Sequence, residues 1–462
     1  MCTACRSRKP STSRTTSPSC RRLPLVLAAF ALLQSSLFFL LSDRVVVVNQ
    51  DIVVAGIHRI ATARRLHMET VAQLLRSQFP QNCTFPDSRF VHIDKLYTRA
   101  GFGSGMIFYR SCLVLALESN RTLLPLEGGT RLGSYLLPWS NCTLEDAEVV
   151  VANSGRDAEE VVMTCDPTKH NRMGASNPPP SFRSFGDKLW FDLHALGFLA
   201  RPSDDMRSLF PVRNKTFVSN TNSNLLVGAH VRRGDKKNEA APVPSEYYLS
   251  DLESALIRDI SSNEKEVQYI NDGQKEVELR VFTDEPNTIR GEMQVAAGLP
   301  HRRVRFRIFI NGEEIDSLQE SSIKRSWNAI NSEQGDGERN DLAMLLMTMS
   351  SSDPIAVTLT SNLGWLVMAM KVYRDLEIGT SSGTLVAVNP NSWSGLLVPD
   401  ERNILGANLF WSQAKCSGPN VGQLGKHRSY EESRGYNLPC TTRPSIVTYS
   451  PVRMRKGPII AI

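Results

Sequence analysis

The chain has 462 residues, 41% apolar and 22% charged, which suits two or three folded domains and excludes a disordered or fibrous protein. The formal net charge of +6 sits in residues 1–22, which hold Arg6, Arg8, Lys9, Arg14, Arg21 and Arg22 and no acid, so the rest of the chain is neutral overall. A neutral body has no electrostatic footprint for nucleic acid, and no such partner is expected.

After this basic tail comes Leu23 to Ser42, LPLVLAAFALLQSSLFFLLS, without a charge. As a helix it spans about 30 Å, the hydrocarbon thickness of a bilayer. Positive charge precedes it and Asp43-Arg44 after it is neutral, so the positive-inside rule puts the tail in the cytoplasm and the bulk in the lumen. A cleaved signal peptide is the competing reading. The long tail, the long apolar run and the poor cleavage site at Ser42-Asp43-Arg44 favour an uncleaved signal-anchor, a single-pass type II membrane protein.

Cysteines follow the same split. Cys2, Cys5 and Cys20 lie in the tail, whereas Cys83, Cys112, Cys142, Cys165, Cys416 and Cys440 lie beyond the apolar run. Six cysteines suit up to three disulfides, with connectivity open. Four N-glycosylation sequons, beginning at Asn82, Asn120, Asn141 and Asn214, also lie beyond it.

Residues 43–90 read as a stem, with one amphipathic helix between Ile57 and Phe79. The turn Gly101-Phe102-Gly103-Ser104-Gly105 then opens the apolar segment Met106 to Leu117. Gly103 in such a turn serves either a ligand phosphate or tight packing. Arg121 to Leu126 reads as a strand, 172–187 as a loop, and Lys188 to Leu199 and Asp205 to Phe210 as helices. The polar stretch 211–224 marks a boundary between a domain over 91–215 and another over 222–400, with 401–462 as a C-terminal extension.

The second half alternates. Strands are expected over Leu225–Val231, Val277–Phe282, Val304–Ile310 and Ile355–Thr360. Helices are expected over Ser245–Ile260, Thr288–Ala297, Asp341–Met349 and Leu363–Arg374. Residues 262–276 and 311–340 read as polar insertions. The alternation predicts an α/β fold with a doubly wound parallel sheet.

Charged groups gather at the expected strand ends. The first strand delivers His230-Val231-Arg232-Arg233-Gly234-Asp235-Lys236, then Glu239-Ala240-Ala241. The second ends at Thr283-Asp284-Glu285-Pro286, the fourth at Thr360-Ser361-Asn362. Open α/β sheets bind ligands at that edge, and arginine forks match phosphate oxygens, so a nucleotide diphosphate is the expected guest. No His/Cys cluster with ligand spacing appears, and no metal site is expected.

These segments resemble the α1,6-fucosyltransferases and their relatives, the bacterial chitooligosaccharide and protein O-fucosyltransferases. His230 to Lys236 with Glu239-Ala240-Ala241, Pro244 and Tyr248 is similar to the core motif of the α1,6 enzymes. Thr283-Asp284-Glu285-Pro286 and Thr358-Leu359-Thr360-Ser361 are similar to their second and third motifs, in the same order. The resemblance covers about residues 97 to 375. It implies two Rossmann-like domains of glycosyltransferase B type, a GDP-fucose donor, no metal, inversion at the sugar, a glycan or glycoprotein acceptor and a Golgi membrane location. The family's guanine-binding carboxylate falls near Leu345, and Asp341 is the nearest acid.

On this resemblance Arg232 binds the β-phosphate, with Arg233 and Lys236 adding charge, and Glu239 is the general base. A salt bridge to Lys236 or Lys237 is the other reading of Glu239. His230 is a nucleotide contact or a core histidine. Asp284 and Glu285 bind the nucleoside or form the turn before Pro286. Ser361 donates to a phosphate or caps a helix. The rival functions are a protein O-fucosyltransferase or another GDP-sugar transferase, and an inactive glycan-binding or scaffold relative.

Overall fold

In the computed structural model, the residues described are 61–94, 101–126, 130, 132–166, 178–185, 188–209, 226–232, 243–260, 276–315, 336–358, 361–378, 384–388 and 408–411. The apolar run Leu23 to Ser42, the basic tail and the extension beyond 411 lie outside them. Among the described residues no helix is long and apolar enough to cross a membrane.

The chain is mixed α/β, built on two sheets. In chain order the first half has helix α1 (61–78), strand β1 (Phe90–Ile93), helix α2 (Phe102–Glu118) and strand β2 (Thr122–Leu123). Helices α3 (Leu144–Ser154) and α4 (Ala158–Val161), strand β3 (Val162–Cys165), then helices α5 (Lys188–Leu199) and α6 (Asp204–Leu209) complete it. Its three strands are parallel, in the order β2-β1-β3, with Phe90 opposite both Thr122 and Val162.

The second half contains β4 (Leu226–Val231), α7 (Ser245–Ile260), β5 (Glu276–Thr283), α8 (Pro286–Ala297), β6 (Arg305–Ile310) and β7 (Glu313–Glu314). It continues with α9 (Asp336–Ser351), β8 (Ile355–Thr358), α10 (Asn362–Ile378), β9 (Thr384–Val388) and β10 (Asn408–Trp411). The sheet order is β10-β9-β8-β4-β5-β6-β7, parallel throughout except for β7. Leaving β7 aside, β6-β5-β4-β8-β9-β10 is the 3-2-1-4-5-6 order of a doubly wound nucleotide-binding sheet. The order reverses between β4 and β8, and that is the switch point at which such sheets take ligands.

Several elements differ from the sequence reading. Strand β1 is only four residues long, too short for periodicity to declare it. Helix α9 starts at Asp336, not Asp341, and β7 forms inside a stretch read as a polar insertion. Glu313 and Glu314 pair with Ile310 and Phe309 across a two-residue turn whose Asn311 and Gly312 both have positive φ. That Asn-Gly pair is a hairpin signal.

Burial explains the layering. Every residue from Trp190 to Leu199 on α5 is buried, so this helix is covered on all sides and lies between other elements. It packs with α2 and α10 in one apolar cluster that also takes in Phe282, Leu345 and Val357 from the second half. Arg110 of α2 and Asp192 of α5 form a buried ion pair at 2.5 Å within it. Disulfides Cys83–Cys142 and Cys112–Cys165 tie the first half, closing stretches of 59 and 53 residues. In the chain-entropy account each contributes about 4 kcal/mol. Cys416 and Cys440 lie outside the described residues.

Candidate functional site

The apolar run 226–231 forms the central strand β4 because both its faces are covered, and Val227 to Val231 are all buried. It is flanked by β5, with His230 opposite Phe282, and by β8, with His230 opposite Val357. Continuing the first register two residues on brings Arg232 beside Asp284, just past the end of β4. Arg232 Nε lies 3.3 Å from Asp284 Oδ2, with both side chains mostly covered. The first two motifs thus meet as an ion pair at the carboxyl edge of the sheet.

The third motif closes the other side through Thr358. Its hydroxyl lies 2.8 Å from the His230 carbonyl oxygen and 2.6 Å from the Tyr248 hydroxyl, and it accepts from the Arg232 backbone N–H at 3.3 Å. Tyr248 comes from α7 and is buried. One hydroxyl therefore joins the end of β4, the end of β8 and the helix after β4.

His230 is buried, and its Nδ1 has no hydrogen-bond partner among the described residues. Burial holds its imidazole down to about 3, and the Arg232 charge adds to the effect, so the ring is neutral in ordinary buffers. Nδ1 faces the first turn of α10, where a Cβ added to Gly364 would stand 3.3 Å away, and only 2.2 Å from the Thr358 carbonyl oxygen. Glycine is what lets the helix start this close to the strand end.

Ser361 immediately precedes α10. Its backbone N–H donates to the Thr358 carbonyl at 3.3 Å, and its carbonyl accepts from Trp365 N–H at 3.2 Å, the pattern of an N-cap residue. Ser361 is buried. The helix start carries the positive end of the peptide dipoles, so an anion at this edge would be stabilised.

The glycine turn of the first half reaches the same place. A Cβ on Gly103 would lie 2.5 Å from the Leu363 backbone nitrogen, and Ser104 Oγ accepts from Asn362 Nδ2 at 2.7 Å. Gly103 thus serves close packing of α2 on α10, beside the strand-end cluster. Glu285 occupies the N-cap position of α8 without a side-chain cap bond, and its N–H donates to Thr283 Oγ1 at 3.2 Å.

Asp341 is exposed on α9, and Leu345, one turn later, is buried in the core. Because α9 leads into the amino end of a parallel strand, its first turns point toward the carboxyl edge. Asp341 stands in the second turn of that helix. Arg233, Lys236 and Glu239 lie outside the described residues.

Thr358 and Gly364 also belong to this cluster; spacing alone does not mark Thr358, whereas a glycine at the start of a helical pattern signals close packing. Among the described residues no group of three or more His, Cys, Asp or Glu side chains is placed to hold a metal ion.

No protein-family profile matches the chain. No curated protein matches it either. Among solved structures, that of an Arabidopsis thaliana FUT1 mutant in complex with GDP is similar at 14% identity, over 68% of this chain and 77% of that chain, with a TM-score of 0.32. A likeness at that level settles neither fold nor activity.

Proposed function

We propose that the protein is an inverting glycosyltransferase that transfers fucose from GDP-fucose to a glycan, in α1,6 linkage to an N-glycan GlcNAc, as a type II membrane protein of the Golgi lumen. One observation carries this reading. The three motif ends meet at the switch point of a doubly wound sheet, with Arg232 paired to Asp284 there.

The chemistry asked of the site is the departure of a diphosphate. The acceptor oxygen forms a bond to the sugar's anomeric carbon while that carbon's bond to the β-phosphate oxygen breaks, and GDP leaves with the electron pair. Arg232 would neutralise the charge growing on the phosphate, and Asp284 would hold the guanidinium in place for it. Arg233 and Lys236 would add charge, and the start of α10 at Ser361 would add its dipole. Fixed donors aimed at developing charge are worth about 10²–10³ in rate apiece. Glu239 would take the proton of the acceptor hydroxyl. Asp341 and Glu285 would meet the nucleoside side of the donor, and His230 would support the edge as a neutral ring. No metal is asked for, since cationic side chains take its part.

The test uses the purified full-length protein with labelled GDP-fucose, GDP-mannose and UDP-sugars, and a panel of N-glycans and glycoproteins. Arg232→Ala runs alongside. Fucose transfer to N-glycan that vanishes in the variant supports the reading. Transfer to protein hydroxyls would make the protein an O-fucosyltransferase, and transfer from another GDP-sugar would change the donor. Donor binding without turnover would leave a glycan-binding or scaffold relative. Folded protein that binds no GDP-sugar would sink the proposal.

A further inference from the structure

Three of the sequons fall within the described residues, and the fold treats them differently. All three asparagines are exposed. The difference lies in the threonine hydroxyl two residues on, the second group that defines an acceptor sequon.

At Asn120 that residue is Thr122. It is buried in β2, and its hydroxyl donates to the Ser77 carbonyl at 3.2 Å. At Asn141 it is Thr143, the N-cap of α3. Its hydroxyl accepts from Asp146 N–H at 3.2 Å and lies 3.1 Å from the Asp146 carboxylate, in a reciprocal capping box. The amide nitrogen of Asn141 is itself engaged, donating to the Pro80 carbonyl at 3.1 Å.

Asn82 is open. Thr84 is exposed, and its N–H and hydroxyl both donate to Asn82 Oδ1 at 2.9 Å. The bonds close an Asx turn inside the sequon and leave Nδ2 unbonded among the described residues. A second observation links this site to Asn141. Cys83 and Cys142, the middle residues of the two sequons, are disulfide-bonded to each other.

We propose that Asn82 carries an N-linked oligosaccharide, and that the Cys83–Cys142 bond together with the α3 cap closes Asn141 to the same modification, as the buried Thr122 closes Asn120. This rests on the lumenal placement proposed above. The donor would be an oligosaccharide on a lipid diphosphate. Asn82 Nδ2 forms a bond to the anomeric carbon, the carbon–oxygen bond to the diphosphate breaks, the lipid diphosphate leaves with the electron pair, and an amide proton passes to the transferring enzyme's base.

The full-length chain, expressed in eukaryotic cells, is purified, and its sequons are scored by mass spectrometry after glycan release in heavy-oxygen water, which marks each occupied asparagine. Alkylation before reduction reports Cys83 and Cys142. Wild type should show Asn82 occupied in most molecules and Asn120 and Asn141 in few. Cys83→Ser leaves the Asn141-Cys142-Thr143 sequence intact while freeing it from the disulfide, so Asn141 occupancy should rise from a minority toward a majority of molecules. Asp146→Ala should raise it with the disulfide still formed. Equal occupancy of Asn82 and Asn141 in wild type overturns the proposal, and so does an Asn141 that neither variant changes. An unmodified Asn82 in protein whose disulfide is formed overturns it while leaving the compartment intact. An unmodified Asn82 in reduced protein overturns both.

Discussion

Tyr248 and Thr358, residues 110 apart in the chain, stand hydroxyl to hydroxyl at 2.6 Å, and the direction of the shared proton is settled by the neighbours. Thr358 has one proton, and the His230 carbonyl at 2.8 Å can only accept it. Tyr248 must then donate to Thr358, whose other lone pair takes the Arg232 N–H. The hydroxyl is saturated. It fastens the two strands on either side of the switch point, so the placement of Arg232 depends on it.

Thr358→Val keeps shape but removes the hub. It removes the acceptor of the Tyr248 hydroxyl and the side-chain bond to the His230 carbonyl, at about 1–3 kcal/mol in all. Tyr248→Phe leaves Thr358 still donating to His230 and should cost about 1 kcal/mol. Chemical denaturation of both variants checks the ranking. Equal losses would mean that the proton is not arranged this way. Donor affinity should fall in Thr358→Val beyond its loss of stability, because the Arg232 backbone is no longer fixed.

Arg232 and Asp284 should separate in their effects. Arg232→Ala should lower transfer by about 10²–10³, and Arg232→Lys should be severe as well, since a point charge does not replace a planar fork. Asp284→Asn keeps the shape and loses the grip on Nε, so it should lower kcat less than Arg232→Ala does. Steady-state kinetics with GDP-fucose decides. Full activity in Arg232→Lys would remove Arg232 from the mechanism.

Helix starts and apolar strands were legible in the sequence because local pattern determines them. The run before His230 has to be a covered strand, and Lys188 to Leu199 has to be a helix. Contacts at long range were not. Nothing in the spacing of Arg232 and Asp284 says that two strands will lie side by side, although the shared edge follows once the alternation is read as a parallel sheet. The landing of Gly103 on Leu363 depends on how α2 crosses α10, which neither segment states alone. Disulfide pairing was hidden for the same reason: six cysteines allow many pairings, and only the packed fold chooses Cys83 with Cys142 and Cys112 with Cys165. The four residues of β1 are too few to show a period.

Two helical glycines make a matched test. Gly291 in α8 has nothing within 4 Å of where a Cβ would stand, so Gly291→Ala should stabilise by about 0.5–1 kcal/mol through helix propensity alone. Gly364→Ala places a methyl 2.2 Å from the Thr358 carbonyl oxygen, which is backbone and cannot swing aside. It should destabilise by about 1–3 kcal/mol, the range for overpacking, and disturb donor binding as the helix start shifts. Thermal melts of the two variants should move in opposite directions.

A histidine pair sets the acid limit. His194 Nδ1 lies 2.8 Å from the Trp190 carbonyl oxygen and so must carry a proton, which leaves Nε2 to accept from His67 Nδ1–H at 3.0 Å. A proton added at His194 Nε2 would turn that bond into two donors facing each other. Burial accordingly holds His67 down to about 4, with Arg64 adding to the effect, and His194 down to about 3, with His67 adding. Both folded-state values lie below the unfolded value of about 6.5, so the unfolded chain binds more protons between them. The stabilisation is complete above pH 6.5 and is lost as pH falls from there through the folded values. Each unit of separation costs about 1.4 kcal/mol for each ring. His67→Gln removes one titrating ring that α1 contributes to α5. Urea unfolding of wild type at pH 7 and pH 5 should show a drop, and His67→Gln a smaller one. An equal drop in both would place the acid sensitivity on other groups, the buried ring of His230 among them.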